Sequence, residues 1–174
     1  MKRTAMAAVA VAVLASGCST LDMQGPRAVA KLESVKGSSV WGSVSFVERG
    51  GVVTVRADVR GLRSSGEFGF HVHEKGDCSA PDFTSAGGHF NPAGKAHAHF
   101  GQAERHAGDL RSLRADSEGN ATYVFETSLL TVQPGPSSVI GKAVVIHANP
   151  DDYASQPAGN SGPRIACGLI KAAE

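Results

Sequence analysis

The chain is short of several things that would place it in other classes. Its 174 residues include one tryptophan, two tyrosines and seven phenylalanines. After Ala15 no apolar run approaches the ~20 residues of a membrane-spanning helix, and none keeps a helical period. An excess of charge of either sign is missing too. Lys and Arg number 17 against 16 Asp and Glu, with no basic stripe, which argues against a nucleic-acid partner. Local charge can still differ from the total, so a charged small substrate is not excluded. Cysteine is limited to three, and the first 70 residues hold no histidine. There is no repeat, no internal linker and no sign of a second domain. What is plentiful is glycine, at 21 residues, between short apolar runs, the composition of a strand-and-turn protein.

Residues 1–17 stand apart from the fold. Lys2 and Arg3 precede the apolar run Ala5–Ala15 and then Ser16-Gly17-Cys18. That is the charged, apolar and small-residue order of a bacterial secretory signal. Small residues directly before a cysteine resemble a lipoprotein box, in which Cys18 is lipidated and opens the mature chain. Ala15 stands where a larger aliphatic residue is more usual, so simple secretory cleavage nearby is the alternative. Residues 18–27 then form a lipidated N-terminus and tether, and residues 28–174 one domain. Export makes a disulfide possible. With lipid on Cys18, Cys78 and Cys167 are left as one pair.

Val40–Val47 alternates, with Val40, Gly42, Val44 and Phe46 on one face. Gly50-Gly51 follows, and then Val53, Val55, Ala57 and Val59 share a face. Two alternating runs across a Gly-Gly turn predict a β-hairpin. Further strands are predicted at Val29–Val35, Glu67–Glu74, Val139–His147 and Ile165–Ile170, and a second hairpin around Ser117–Asn120. The stretches from Lys75 to Leu110 and from Asn149 to Arg164 carry no period and read as long functional loops. The expected class is all-β, an antiparallel sandwich or closed barrel of about eight strands.

Six of the seven histidines, His71, His73, His89, His97, His99 and His106, fall between His71 and Asp109, and His147 ends a later strand. Neutral imidazole is the commonest metal ligand, so this density predicts a metal centre more readily than a loose metal-sequestering tract. His71 and His73, two apart on one strand, point the same way.

The motifs G-F-H-V-H-E, G-G-H-F-N-P, R-H-A-G-D-L, V-V-I-H and G-P-R-I-A-C-G-L-I, in that order, resemble the copper/zinc superoxide dismutase family over about Val29 to Ile170. The resemblance implies a Greek-key β-barrel with copper on His71, His73, His89 and His147. It implies zinc on His89, His97, His106 and Asp109, with His89 shared by both metals. Asp151 matches an aspartate that hydrogen-bonds ligands of both metals, and Arg164 an arginine that guides the anion to copper. The implied reaction converts superoxide to oxygen and hydrogen peroxide as copper cycles between Cu(II) and Cu(I), with His89 and Arg164 as catalytic residues. Between His97 and His99 the family spacing, eight residues after the shared histidine, selects His97. The expected setting is the bacterial periplasm, with a membrane attachment through lipid and a monomeric or homodimeric assembly. A non-catalytic copper or zinc store on the same scaffold is the competing reading.

Overall fold

The computed structural model describes residues 25–173; the expected signal, Cys18 and most of the tether lie outside the described residues. Ten strands form in chain order: β1 Arg27–Ser34, β2 Trp41–Arg49, β3 Val52–Arg60, β4 Glu67–Phe68, β5 Phe70–His73, β6 Leu113–Arg114, β7 Ala121–Thr127, β8 Ala143–His147, β9 Arg164–Leu169 and β10 Lys171–Ala172. Among the described residues helix is limited to one 3-10 turn, Thr84–Ala86. The expectation of an all-β antiparallel fold is met.

Eight strands make one curled sheet in the order β5-β8-β9-β1-β2-β3-β7, with β10 also paired to β1. The connections from β3 to β5 and from β7 to β8 pass between opposite ends of that order, in Greek-key fashion. Alternation builds the interior. Val44 and Phe46 on β2 and Val53, Val55, Ala57 and Val59 on β3 are buried, and the residues that alternate with them face outward. Gly50 and Gly51, both at positive φ, close the β2–β3 turn, as a two-residue hairpin loop requires.

Two expectations need correction. The predicted strand Glu67–Glu74 is broken at Gly69 into β4 and β5, which belong to different sheets. The expected hairpin across Ser117–Asn120 does not form: β6 pairs with β4 and β7 pairs with β3. The turn itself exists, since Asp116 accepts the backbone N–H groups of Glu118 and Asn120 through Oδ1. Turn residues mark where a chain reverses but not which strand its ends pair with.

Two irregular segments flank the site, residues 74–112 and 148–163. The first is hung on the free edge of β5 by backbone hydrogen bonds. Val72 N–H donates to Gly108 O at 3.0 Å, Phe90 N–H to Val72 O at 2.8 Å and Glu74 N–H to Gly88 O at 2.9 Å. Gly108 sits so close to Val72 O that a Cβ there would collide with backbone, which explains the glycine in R-H-A-G-D. Cys78 and Cys167 are disulfide-bonded, tying this segment to β9 across 89 residues of chain. Closing a loop of that length stabilises the fold by on the order of 4 kcal/mol.

Candidate metal centre

Six histidines and two aspartates meet where β5, β8 and the two irregular segments converge. His71, His73, His89, His97, His106, His147, Asp109 and Asp151 are all buried. The ligand atoms of His71, His73, His89 and His147 lie within 4.8 Å of one another, and so do those of His89, His97, His106 and Asp109. His89 belongs to both groups.

Hydrogen bonds fix which ring nitrogen each histidine has to offer. His73 Nδ1 lies 2.9 Å from Gly87 O and His147 Nδ1 lies 3.0 Å from Gly162 O. A carbonyl only accepts, so both Nδ1 atoms carry the proton and both Nε2 atoms keep a lone pair. Those two Nε2 atoms are 3.3 Å apart, facing each other. Two lone pairs at that distance repel unless a cation lies between them. His71 Nε2 lies 2.7 Å from Asp151 Oδ2, which leaves His71 Nδ1 buried and without a partner. His89 Nε2 is likewise buried and unpartnered. Buried polar atoms without partners are destabilising, so their convergence here fits a bound metal ion.

The second group is organised by Asp109. Its Oδ2 accepts the backbone N–H groups of His106 at 3.0 Å and Ala98 at 3.3 Å. That leaves Oδ1 facing three imidazoles: His89 Nδ1 at 2.8 Å, His97 Nδ1 at 3.0 Å and His106 Nδ1 at 3.2 Å. His97 Nε2 lies 2.9 Å from Asp151 Oδ1, and its Nδ1 has no hydrogen-bonding geometry despite the short approach to Asp109. Three nitrogens and one carboxylate oxygen are a zinc donor set, and four imidazole nitrogens suit copper.

The electrostatics separate the two groups. Burial, reinforced by His89 and His147, pushes His71 and His73 well below the usual histidine range. Burial also lowers His147 to about 4, so His71, His73 and His147 are neutral and ligand-ready at neutral pH. At His97 burial opposes the charge, but contacts with Asp109 and Asp151 outweigh it and raise the pKa to about 9. Burial likewise opposes ionisation of Asp109, yet His89 and His97 hold its carboxyl below the usual range.

His99, the alternative to His97, is exposed and lies outside both groups. Its ring packs 4.0 Å from Phe100 and 4.9 Å from Tyr153, between centroids. Arg164 lines a cleft of about 400 Å³ with His147, Gln156 and Gly162. Its guanidinium donates to Phe83 O and, at 2.6 Å, to Gly87 O, the same carbonyl that orients His73.

Three supporting residues carried no signal in the sequence. Gln156 clamps the His97 backbone, accepting its N–H at 3.0 Å and donating to its carbonyl at 2.7 Å. Tyr153 N–H donates to Asp151 Oδ1 at 2.7 Å, and its hydroxyl accepts Ser112 N–H at 2.9 Å and donates to Ser112 Oγ at 3.0 Å. Apart from the Tyr153 N–H, two residues from Asp151, these contacts span 39 to 59 residues of sequence, with no local motif to reveal them.

Residues 40–170 match the family model described as copper/zinc superoxide dismutase (SODC). "Superoxide dismutase [Cu-Zn] 2" of Aquifex aeolicus is 39% identical over 149 residues, spanning 83% of this chain and 86% of its own. "Superoxide dismutase [Cu-Zn]" of Yarrowia lipolytica is 45% identical over 141 residues, 76% of this chain and 90% of its own. Among solved structures, the clock protein EA4 superposes with a TM-score of 0.77 at 37% identity, covering 85% of this chain and 95% of its own. A double mutant of a SOD-like protein from Bacillus subtilis superposes with a TM-score of 0.74 at 35% identity, covering 82% and 96%.

Proposed function

The chain belongs to the copper/zinc superoxide dismutase family, and on that premise we propose that its copper is held by His71, His73, His89 and His147 and its zinc by His89, His97, His106 and Asp109. The protein is an enzyme that dismutates superoxide, with copper and zinc as cofactors. Two superoxide ions and two protons give one oxygen and one hydrogen peroxide. Copper would supply the one-electron redox step, and zinc, which has no redox chemistry, would fix the imidazole of His89.

The chain's own residues do the rest. Gly87 O and Gly162 O keep the Nε2 atoms of His73 and His147 free to ligate. Asp151 spans His71 and His97 and so couples the two halves of the site. His89 Nε2, buried and unpartnered beside His71, His73 and His147, would give up and take back a proton during the cycle. Arg164, at the wall of the cleft that His147 also lines, attracts the anion and aims it inward.

The observation that carries this reading is the convergence of buried, unpartnered nitrogens, His71 Nδ1, His89 Nε2 and His97 Nδ1, on two adjacent positions. Metal analysis of purified protein tests it: one copper and one zinc per chain are expected, and His147→Ala should lose the copper while keeping the zinc. Retention of both metals in that variant would contradict the assignment. A storage role is less favoured, because storage needs no guide cation at the cleft.

The secretory pattern of residues 1–17 supports export to the periplasm, and the small residues before Cys18 support a lipid anchor there, followed by a tether through residue 27 and a domain from 28 to 174. The enzyme then works as a monomer or homodimer held at a membrane surface. Mass spectrometry of the mature N-terminus tests this: diacylglyceryl on Cys18 is expected, and a free thiol there would remove the anchor.

A further inference from the structure

The face of the sheet formed by the outward residues of β10, β1, β2, β3 and β7 is basic and apolar together. Arg27 stands opposite Val47, which stands opposite Thr54; Val29 stands opposite Ser45, which stands opposite Arg56, which stands opposite Val124. Lys171 sits across from Val29 on β10, and Arg49 across from Val52 at the end of the hairpin. Arg27, Arg49 and Arg56, with Ser45, Val47 and Thr54, line a hollow of about 310 Å³. All three arginines are exposed.

Arg49 and Arg56 pair with no acid among the described residues. Glu48 turns inward and accepts the backbone N–H groups of Val132 and Gln133. Asp58 pairs with Arg60 at 2.8 Å. Glu126, across from Thr54, and Glu33, towards the far end of β1, are the other acids on this side among the described residues. The concentration is local. Beyond the signal, which holds Lys2 and Arg3 and no acid, the remaining chain carries one more acid than base.

Exposed apolar groups gather on the same face. Of five large hydrophobic side chains exposed among the described residues, Val29, Trp41, Val52 and Val124 lie here and only Ile140 lies elsewhere. Trp41, at 63% the most exposed of them, is the chain's sole tryptophan. Cations mixed with valine and tryptophan are the composition of surfaces that rest in a lipid headgroup layer.

We propose that this face docks the domain onto anionic phospholipid headgroups of the membrane that carries the Cys18 anchor. The inference builds on the anchor reading for its geometry. Cys18 precedes Arg27 by nine residues, so even a fully extended tether keeps the hollow within about 30 Å of the lipid. Arginine forks match headgroup phosphates, and basic groups at an anionic surface each strengthen binding several-fold. Docked this way, β5 and β8, at the opposite end of the sheet order from β3 and β7, leave the cleft of His147 and Arg164 open to solvent.

The test uses the mature chain from residue 18 with Cys18→Ser, so that no lipid contributes. Its binding to phosphatidylcholine vesicles, with and without phosphatidylglycerol, is measured by co-sedimentation and by Trp41 emission. Binding to the phosphatidylglycerol vesicles alone is expected, weakening as salt rises, with a blue shift of Trp41 emission. Arg49→Glu with Arg56→Glu should reduce binding at least tenfold while dismutation and thermal stability stay unchanged. Equal binding to both vesicle types, or an unaffected double variant, would overturn the proposal. So would displacement by inorganic phosphate at micromolar level, which would mean a pocket for a soluble anion, or dimerisation through this face in sedimentation velocity. Failure of the anchor reading shows separately, as an unlipidated Cys18 in cells, and leaves the vesicle result standing.

Discussion

His89 and Asp109 meet through one nitrogen only: Nδ1 lies 2.8 Å from Asp109 Oδ1, while Nε2 points away, buried and unpartnered, into the group formed with His71, His73 and His147. The ring therefore has one nitrogen on each side of a shared boundary. His89→Ala should separate the two halves. With copper in place and cobalt substituted for zinc, the parent protein is expected to show magnetic coupling between the ions and the variant none. Two magnetically isolated ions in the parent protein would refute the shared ligand.

The choice between His97 and His99 gives a second test. His97 is buried against Asp109 and Asp151, whereas the exposed His99 packs on Phe100 and Tyr153. His97→Ala is expected to weaken zinc binding by ~100-fold or more, beyond what loss of a supporting contact usually does. His99→Ala should stay within a few-fold of the parent. Zinc titration against a competing chelator reads both.

Much of this was legible in the sequence, and the reasons are local. His71 and His73 reveal a shared orientation through a two-residue spacing on a strand, and Val53, Val55 and Val59 reveal the core face the same way. The strand partners were less legible. Ser117–Asn120 looks like a hairpin, but β6 and β7 each pair with an element far away in sequence. Gln156 and Tyr153 escaped notice for the same reason, because their targets lie on the other loop. The orphaned nitrogens and the face-to-face Nε2 atoms of His73 and His147 need coordinates, since no spacing tells which ring nitrogen is already engaged.

Zinc uptake should depend on pH through His97. In the folded chain stripped of metal, burial disfavours the His97 charge but Asp109 and Asp151 outweigh it and hold the pKa up to about 9. Below that value His97 is protonated, and zinc must displace the proton, because only the neutral ring ligates. The apparent zinc affinity is thus expected to rise about tenfold per pH unit from 6.5 to about 9 and then flatten, if other ligands contribute no further proton in that range. Calorimetry in buffers of different ionisation enthalpy should find about one proton released at pH 7.5. A pH-independent affinity across this range would contradict the role of His97.

Arg164 is tied to Phe83 O and Gly87 O and lines the cleft beside His147. Arg164→Ala is expected to lower the dismutation rate by about tenfold or more and to flatten its dependence on salt, because an attracting charge is gone. Arg164→Lys should keep most of the salt dependence while losing part of the rate, since an ammonium lacks the planar fork whose two nitrogens engage Phe83 O and Gly87 O. Full activity with unchanged salt dependence in the alanine variant would remove the guiding role.

The most direct test of the whole account is the decay of superoxide followed by pulse radiolysis with the chain loaded in two ways, with zinc alone and with copper and zinc. The zinc-only form should leave the spontaneous decay unchanged. The form with both metals should accelerate it in proportion to bound copper, approaching the ~10⁸–10⁹ M⁻¹s⁻¹ range of diffusion-limited enzymes. Copper bound at one per chain with no acceleration over the zinc-only form would contradict the account.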